Sequence, residues 1–133
     1  MAQTEVVTAE GITELGLLWA EEASTGIESI VCLEMATVCT AAAGSTFLDP
    51  ADTAIHHTDS GLLLAAIDTV AAVATGVDFD HEFTASATKN VAGIHVCNND
   101  DDVCFIECCF ASVIAMENTD TLTIDGNVTL ADA

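Results

Sequence analysis

The sequence predicts a mainly β protein: a single-domain antiparallel β-sandwich, jelly-roll-like, with one N-terminal amphipathic helix. Three observations predict it. Alternating apolar and polar residues recur in short segments through the second half of the chain. Turn-forming runs such as Asn98 to Asp102 and Glu117 to Thr119 separate those segments. Helical periodicity is confined to the N-terminal part. The length, 133 residues, suits one domain, since domains cluster at ~100–150 residues. No linker or internal repeat divides it, so residues 1–133 are expected to form one β-rich structural domain.

Each element has its own reason. Thr8 is the expected N-cap of a helix over about residues 9–23, with Glu10 in its first turn. Ile12, Leu15 and Trp19 share one face of that helix, Glu14 and Glu21 lie opposite, and Gly26 is the expected stop. Ile27 to Cys39 reads as a strand with Val31, Leu33 and Met35 on one side and Glu28 and Glu34 on the other. Ala41 to Ser60 reads as a polar loop around the sole proline, Pro50. Residues 62–74 are open between helix and strand. Their Ala and Leu content favours helix, while apolar character on both faces suits a covered strand.

Beyond Gly76 the alternation is clear. Phe79, His81, Phe83 and Ala85 face one way, and Asp78, Asp80, Glu82 and Thr84 the other. Val91 to Cys97 and Val103 to Ala115 are expected to pair as a hairpin across the turn at Asn98 to Asp102. Leu122, Ile124, Val128 and Leu130 alternate with polar residues in a closing strand.

The charge narrows the function. There are 22 carboxylates, a single basic side chain, Lys89, and no arginine, for a net charge of −21. Phosphate binding needs Lys or Arg to displace counterions, so nucleic acid is not an expected partner. Anionic lipid is disfavoured for the same reason. A hydrophobic fraction of 51% excludes a disordered acidic tail, which would lack the apolar side chains to bury. No uninterrupted apolar run approaches the ~18 residues of a membrane span. No signal peptide is seen, since Met1 to Glu5 lacks a basic n-region and no apolar h-region follows.

Several segments together resemble a known family. They are an N-terminal helix, "DTAI" with "TDSGL", "FTASATKNVAGIHVCN", and "FASVIAMENTDTLTIDGNVTL". The chain resembles small tailed-phage structural proteins of the tail-fibre or tail-associated kind over roughly residues 8–130. Their corresponding motifs are "LGTGTTAP…DTAL", "EIGVFN", "LLARxxF" and "DTLTITW". The resemblance implies a non-enzymatic β-rich virion subunit that works by assembly. The chain departs from the pattern at Ala36 to Thr40, where the family has a Gly-Thr-Gly loop. It departs again at Glu107, in the place of an arginine, and at Gly126, in the place of a tryptophan.

The candidate chemistry lies in cysteines and carboxylates. Cys32, Cys39, Cys97, Cys104, Cys108 and Cys109 are disulfide candidates; the alternatives are buried thiols or metal and redox use. With neither CxxC nor CxxCH, a zinc ribbon, a thioredoxin-type site and covalent haem are disfavoured. On a strand, Cys104 and Cys108 share a face and Cys109 opposes them, and Cys32 opposes Cys39. At least one pair is therefore expected to bridge sheets or subunits.

Asp100, Asp101 and Asp102 in the hairpin turn are candidate oxygen ligands for Ca²⁺. Asp78, Asp80 and Glu82 form a second candidate cation site. Alternate strand residues stand ~6.8 Å apart, too far for one ion without a neighbour's ligands. No cofactor is expected to be required; Ca²⁺ is the candidate ion. His81, between Phe79 and Phe83, is expected to be partly buried, and His56-His57 to lie in a surface loop.

With no catalytic constellation, the chain is expected not to be an enzyme. The expected function is a self-assembling structural subunit of a virion: tail, fibre or decoration. The alternative is an extracellular filament subunit of the same fold whose acidic surface binds Ca²⁺ or other metal cations. Its partners would be copies of itself or other virion proteins. Either terminus, Met1 to Thr8 or Asn127 to Ala133, is a candidate arm for a neighbour's edge strand.

Overall fold

The computed structural model describes residues 3–13, 27–46, 55–56, 59–63, 65–67, 69–73, 76–98 and 103–129. Nine strands follow in order: β1 Thr4–Val7, β2 Ser29–Glu34, β3 Ile55–His56, β4 Ala65–Ala66, β5 Thr69–Val73, β6 Gly76–Thr84, β7 Lys89–Cys97, β8 Cys104–Met116 and β9 Thr121–Thr129. They build two antiparallel sheets. The larger has six strands in the order β1-β8-β7-β2-β3, with β4 pairing β2 beside β3. The smaller runs β5-β6-β9. Among the described residues no helix is long and apolar enough to cross a membrane.

The alternation read from the sequence sets the layers. Phe79, Phe83 and Ile124 of the smaller sheet meet Ile30, Cys32, Ile94 and Val96 of the larger in one buried cluster. Each fully buried side chain of this size stabilises by about 1.5–3 kcal/mol. Asp78, Asp80 and Glu82 face solvent on the other side of β6. His81 is half-buried, its ring edge-on to Phe83 at 4.5 Å.

Gly126 lies opposite Phe79, and a Cβ there would stand 2.2 Å from the ring. A large side chain at this position would displace Phe79 from the core.

Within 62–74, left open between helix and strand, residues 65–66 and 69–73 are strands, because edges of β2 and β6 stand ready to pair them. Other expectations are corrected. The strand expected over 27–39 ends at Glu34, beyond a register shift against β7. The loop expected over 41–60 contributes the short β3 at the sheet edge. The expected N-terminal arm is β1, paired with Ile106 to Cys109 of its own β8. Of the closing segment, Asn127 to Thr129 pairs with Gly76 to Asp78.

Residues 9–13 are helical. Thr8 caps them as expected: its Oγ1 accepts the Gly11 N–H at 2.9 Å, and its carbonyl accepts the Ile12 N–H at 2.9 Å. Ile12 is 61% exposed, however. Gly11 faces inward instead, since a Cβ there would come within 2.6 Å of the Phe105 backbone. Leu15, Trp19 and the remainder of the expected helix lie outside the described residues.

Candidate functional site

The candidate site lies on the face of the larger sheet turned away from the smaller one. The β7–β8 hairpin presents it. His95 stands directly opposite Glu107, and Cys97 opposite Cys104. A register shift between Val96 and Cys97 separates the two pairs. That bulge breaks the simple alternation along β8. Cys104 consequently turns toward His95 and Glu107, not toward the face of Cys108. This overturns the expectation that Cys104 and Cys108 share a face. Cys108 packs against the inter-sheet core and Cys109 on the opposite face, as the alternation requires.

His95, Cys97, Cys104 and Glu107 are all buried. Glu107 is held from three sides. His95 Nε2 lies 2.6 Å from its Oε2, the Ala42 N–H donates to its Oε1 at 3.0 Å, and Ser45 bonds it as well. Burial alone would raise its carboxyl, but these bonds outweigh burial and hold it below the ordinary value. With Nε2 taken by Glu107, His95 Nδ1 is buried without a hydrogen-bond partner. Burial would lower the imidazole's pKa; its bonds with Cys104 and Glu107 raise it to about 9.

Cys104 Sγ donates to the Ile106 carbonyl at 3.5 Å, and Cys97 is the largest influence lowering that thiol. Burial opposes ionisation and His95 favours it, and the balance takes Cys104 down to about 6. The cluster gathers two thiols, an imidazole and a carboxylate away from water.

Its lid is the segment after β2. The disulfide Cys39–Cys109, with Cα atoms 5.5 Å apart, pins the segment to β8. The N–H groups of Ala41 and Ala42 donate to Thr4 Oγ1 and Glu107, and the Ala43 carbonyl accepts the Ala9 N–H. This disulfide joins a connecting segment to a strand on one face, and so bridges neither two sheets nor two chains. Cys32, Cys97, Cys104 and Cys108 are thiols.

The remaining candidates are placed as follows. Asp100, Asp101 and Asp102 lie outside the described residues, as does His57. His56 belongs to β3, opposite Leu33. Asp80 stands opposite Asp125 and Asp78 opposite Asn127, whose amide donates to the Asp78 carboxylate. Among the described residues no three His, Cys, Asp or Glu side chains converge as a metal-binding group. Lys89 pairs with Glu34 at 3.4 Å.

A second feature is a cleft of about 310 Å³ between the sheets. Phe79, Ile94, Ile106, Phe110, Leu122 and Ile124 line it, and Glu5 and Asp125 are the acids at its margin.

The importance of His95 and Glu107 as a pair escapes sequence reading. The available signal was a lone carboxylate, Glu107, within the apolar run from Val103 to Phe110. Buried charge on a strand requires a partner.

The fold and site define a two-sheet antiparallel β protein with a sealed Cys–His–Glu cluster. No family model, curated protein or solved structure matches the chain.

Proposed function

We propose that the chain is a non-enzymatic structural subunit that works by assembly with copies of itself, built as a jelly-roll-like sandwich. Its place is a tailed-phage virion, as a tail, fibre or decoration protein. The observation that carries this reading is the inequality of the two sheets. Among the described residues a six-stranded sheet faces a three-stranded one. Ile106, Phe110, Ile114 and Leu122 are left half-buried along the cleft between them. Among the described residues, β9 pairs with β6 on one side and carries no strand on the other. A strand from a neighbouring copy would complete that edge through main-chain bonds and cover the cleft with its apolar side chains. The motif likeness to tail-associated proteins supplies the virion setting. A net charge of −21 makes such assembly depend on salt or divalent cations that screen the surface.

Sedimentation and electron microscopy of the purified protein test this, over a range of protein concentration with and without calcium. Concentration-dependent oligomers or filaments are expected. One sharp monomer boundary under every condition overturns the reading.

A further inference from the structure

We propose that Cys97 and Cys104 form a thiol–disulfide exchange site, which takes a low-molecular-weight disulfide as its oxidant and closes a second disulfide across the β7–β8 hairpin. The inference stands apart from assembly, since it concerns chemistry within one chain.

The geometry carries it. Cys97 and Cys104 face each other directly in an antiparallel ladder. Their main-chain groups bond elsewhere: the Cys104 N–H donates to Glu10 Oε2 at 2.7 Å, its carbonyl accepts the Thr8 hydroxyl, and the Cys97 carbonyl accepts the Glu28 N–H at 3.0 Å. The pair is therefore a non-hydrogen-bonded one. At such positions Cα atoms approach to ~4.5 Å and side chains lie closest. That spacing falls within the ~4.4–6.8 Å that a disulfide spans. Cys97 is the largest influence favouring the Cys104 thiolate.

The surroundings favour exchange over inert burial. His95 Nδ1 is buried without a hydrogen-bond partner, Glu107 holds the ring through Nε2, and His95 favours ionisation of Cys104. Among the described residues, Glu10 also approaches the pair, its Oε2 accepting the Cys104 N–H.

The pair lies at the end of the described β7–β8 ladder. Beyond the pair, the 3.2 Å bonds from Asn98 N–H to the Val103 carbonyl and from Val103 N–H to Asn98 Oδ1 tie the strands together. Ladder ends open at far lower cost than ladder centres.

The chemistry balances. The Cys104 thiolate attacks one sulfur of the small disulfide, forms a mixed disulfide and expels one thiolate. The Cys97 sulfur then attacks Cys104 and expels the second, and the Cys97 proton ends on a released thiol. Two protein thiols are oxidised and one small disulfide is reduced to two thiols.

The test equilibrates the full chain in glutathione buffers of graded thiol-to-disulfide ratio, then quenches with acid. Alkylation under unfolding conditions and peptide mass spectrometry follow. Cys97 and Cys104 should lose alkylation together and appear as one linked pair, while Cys32 and Cys108 stay alkylated. Persistence of both thiols at every ratio overturns the proposal, and this arm needs no variant. Cys97→Ser should stop at glutathione joined to Cys104; equal labelling of Cys108 counts against the site. His95→Gln should slow exchange by about tenfold in mildly acidic buffer, and an unchanged rate removes His95 from the site.

Discussion

The two faces of the larger sheet bury the same residue type with opposite results. Facing the smaller sheet, Cys32 packs in the apolar cluster and Cys108 against it. Burial pushes the Cys32 thiol up to about 12. Burial, with Glu5 nearby, pushes Cys108 up to about 11. On the far face Cys104 is equally hidden, yet it is driven down to about 6 by Cys97 and His95. Removal from water penalises a thiolate on both faces. What differs is the partner set: a sulfhydryl donor and an imidazolium on one side, hydrocarbon on the other. Burial thus sets the size of the stakes, and neighbours set the sign.

The comparison breaks most visibly at Glu107. Glu107→Ala removes the carboxylate that holds buried His95 and the Ala42 N–H, and urea unfolding near neutral pH should show a loss of about 3–5 kcal/mol. Trimming the apolar face by one methyl, Ile94→Val, should cost only about 0.5–1.5 kcal/mol. Equal losses from the two variants would mean that the polar face is no more than packing.

A second measurement sharpens the cysteine contrast. Thiolate ultraviolet absorbance should rise through a midpoint near 6 for Cys104 in the parent protein. In His95→Gln that midpoint should climb, because burial then acts with one fewer opponent. Cys32 and Cys108 should not ionise until about 12 and 11 in either protein. An unmoved midpoint would assign the effect to Cys97 alone.

The smallest expected effect is an acid limb. Glu107 has a folded value below its ordinary 4.5. It therefore contributes stability that is fully present above 4.5 and is lost as the pH falls through the lower folded value. Thermal melts across this range should show the decline in the parent and a shallower one in Glu107→Gln. Identical slopes would place the acid sensitivity in other carboxylates.

Much of the fold was legible in the chain. The alternation of Phe79, His81 and Phe83 against Asp78, Asp80 and Glu82 gave the correct faces of β6, because a pleated strand sends successive side chains to opposite sides. The β7–β8 hairpin was legible from its acidic turn. Its register was not. A turn over Asn98 to Asp102 would set Cys97 opposite Val103 and His95 opposite Phe105; the observed partners are Cys104 and Glu107. The site exists only in the observed register.

By itself, the sequence determined the alternation, the N-cap at Thr8, the opposition of Cys108 to Cys109 and a net charge of −21. These follow from local geometry and composition. Tertiary structure decided that 65–66 and 69–73 are strands, that Cys39 joins Cys109, and that a bulge brings Cys104 to His95. Strand edges, a covering segment and a one-residue slip come from distant parts of the chain, and no local pattern encodes which distant partner arrives.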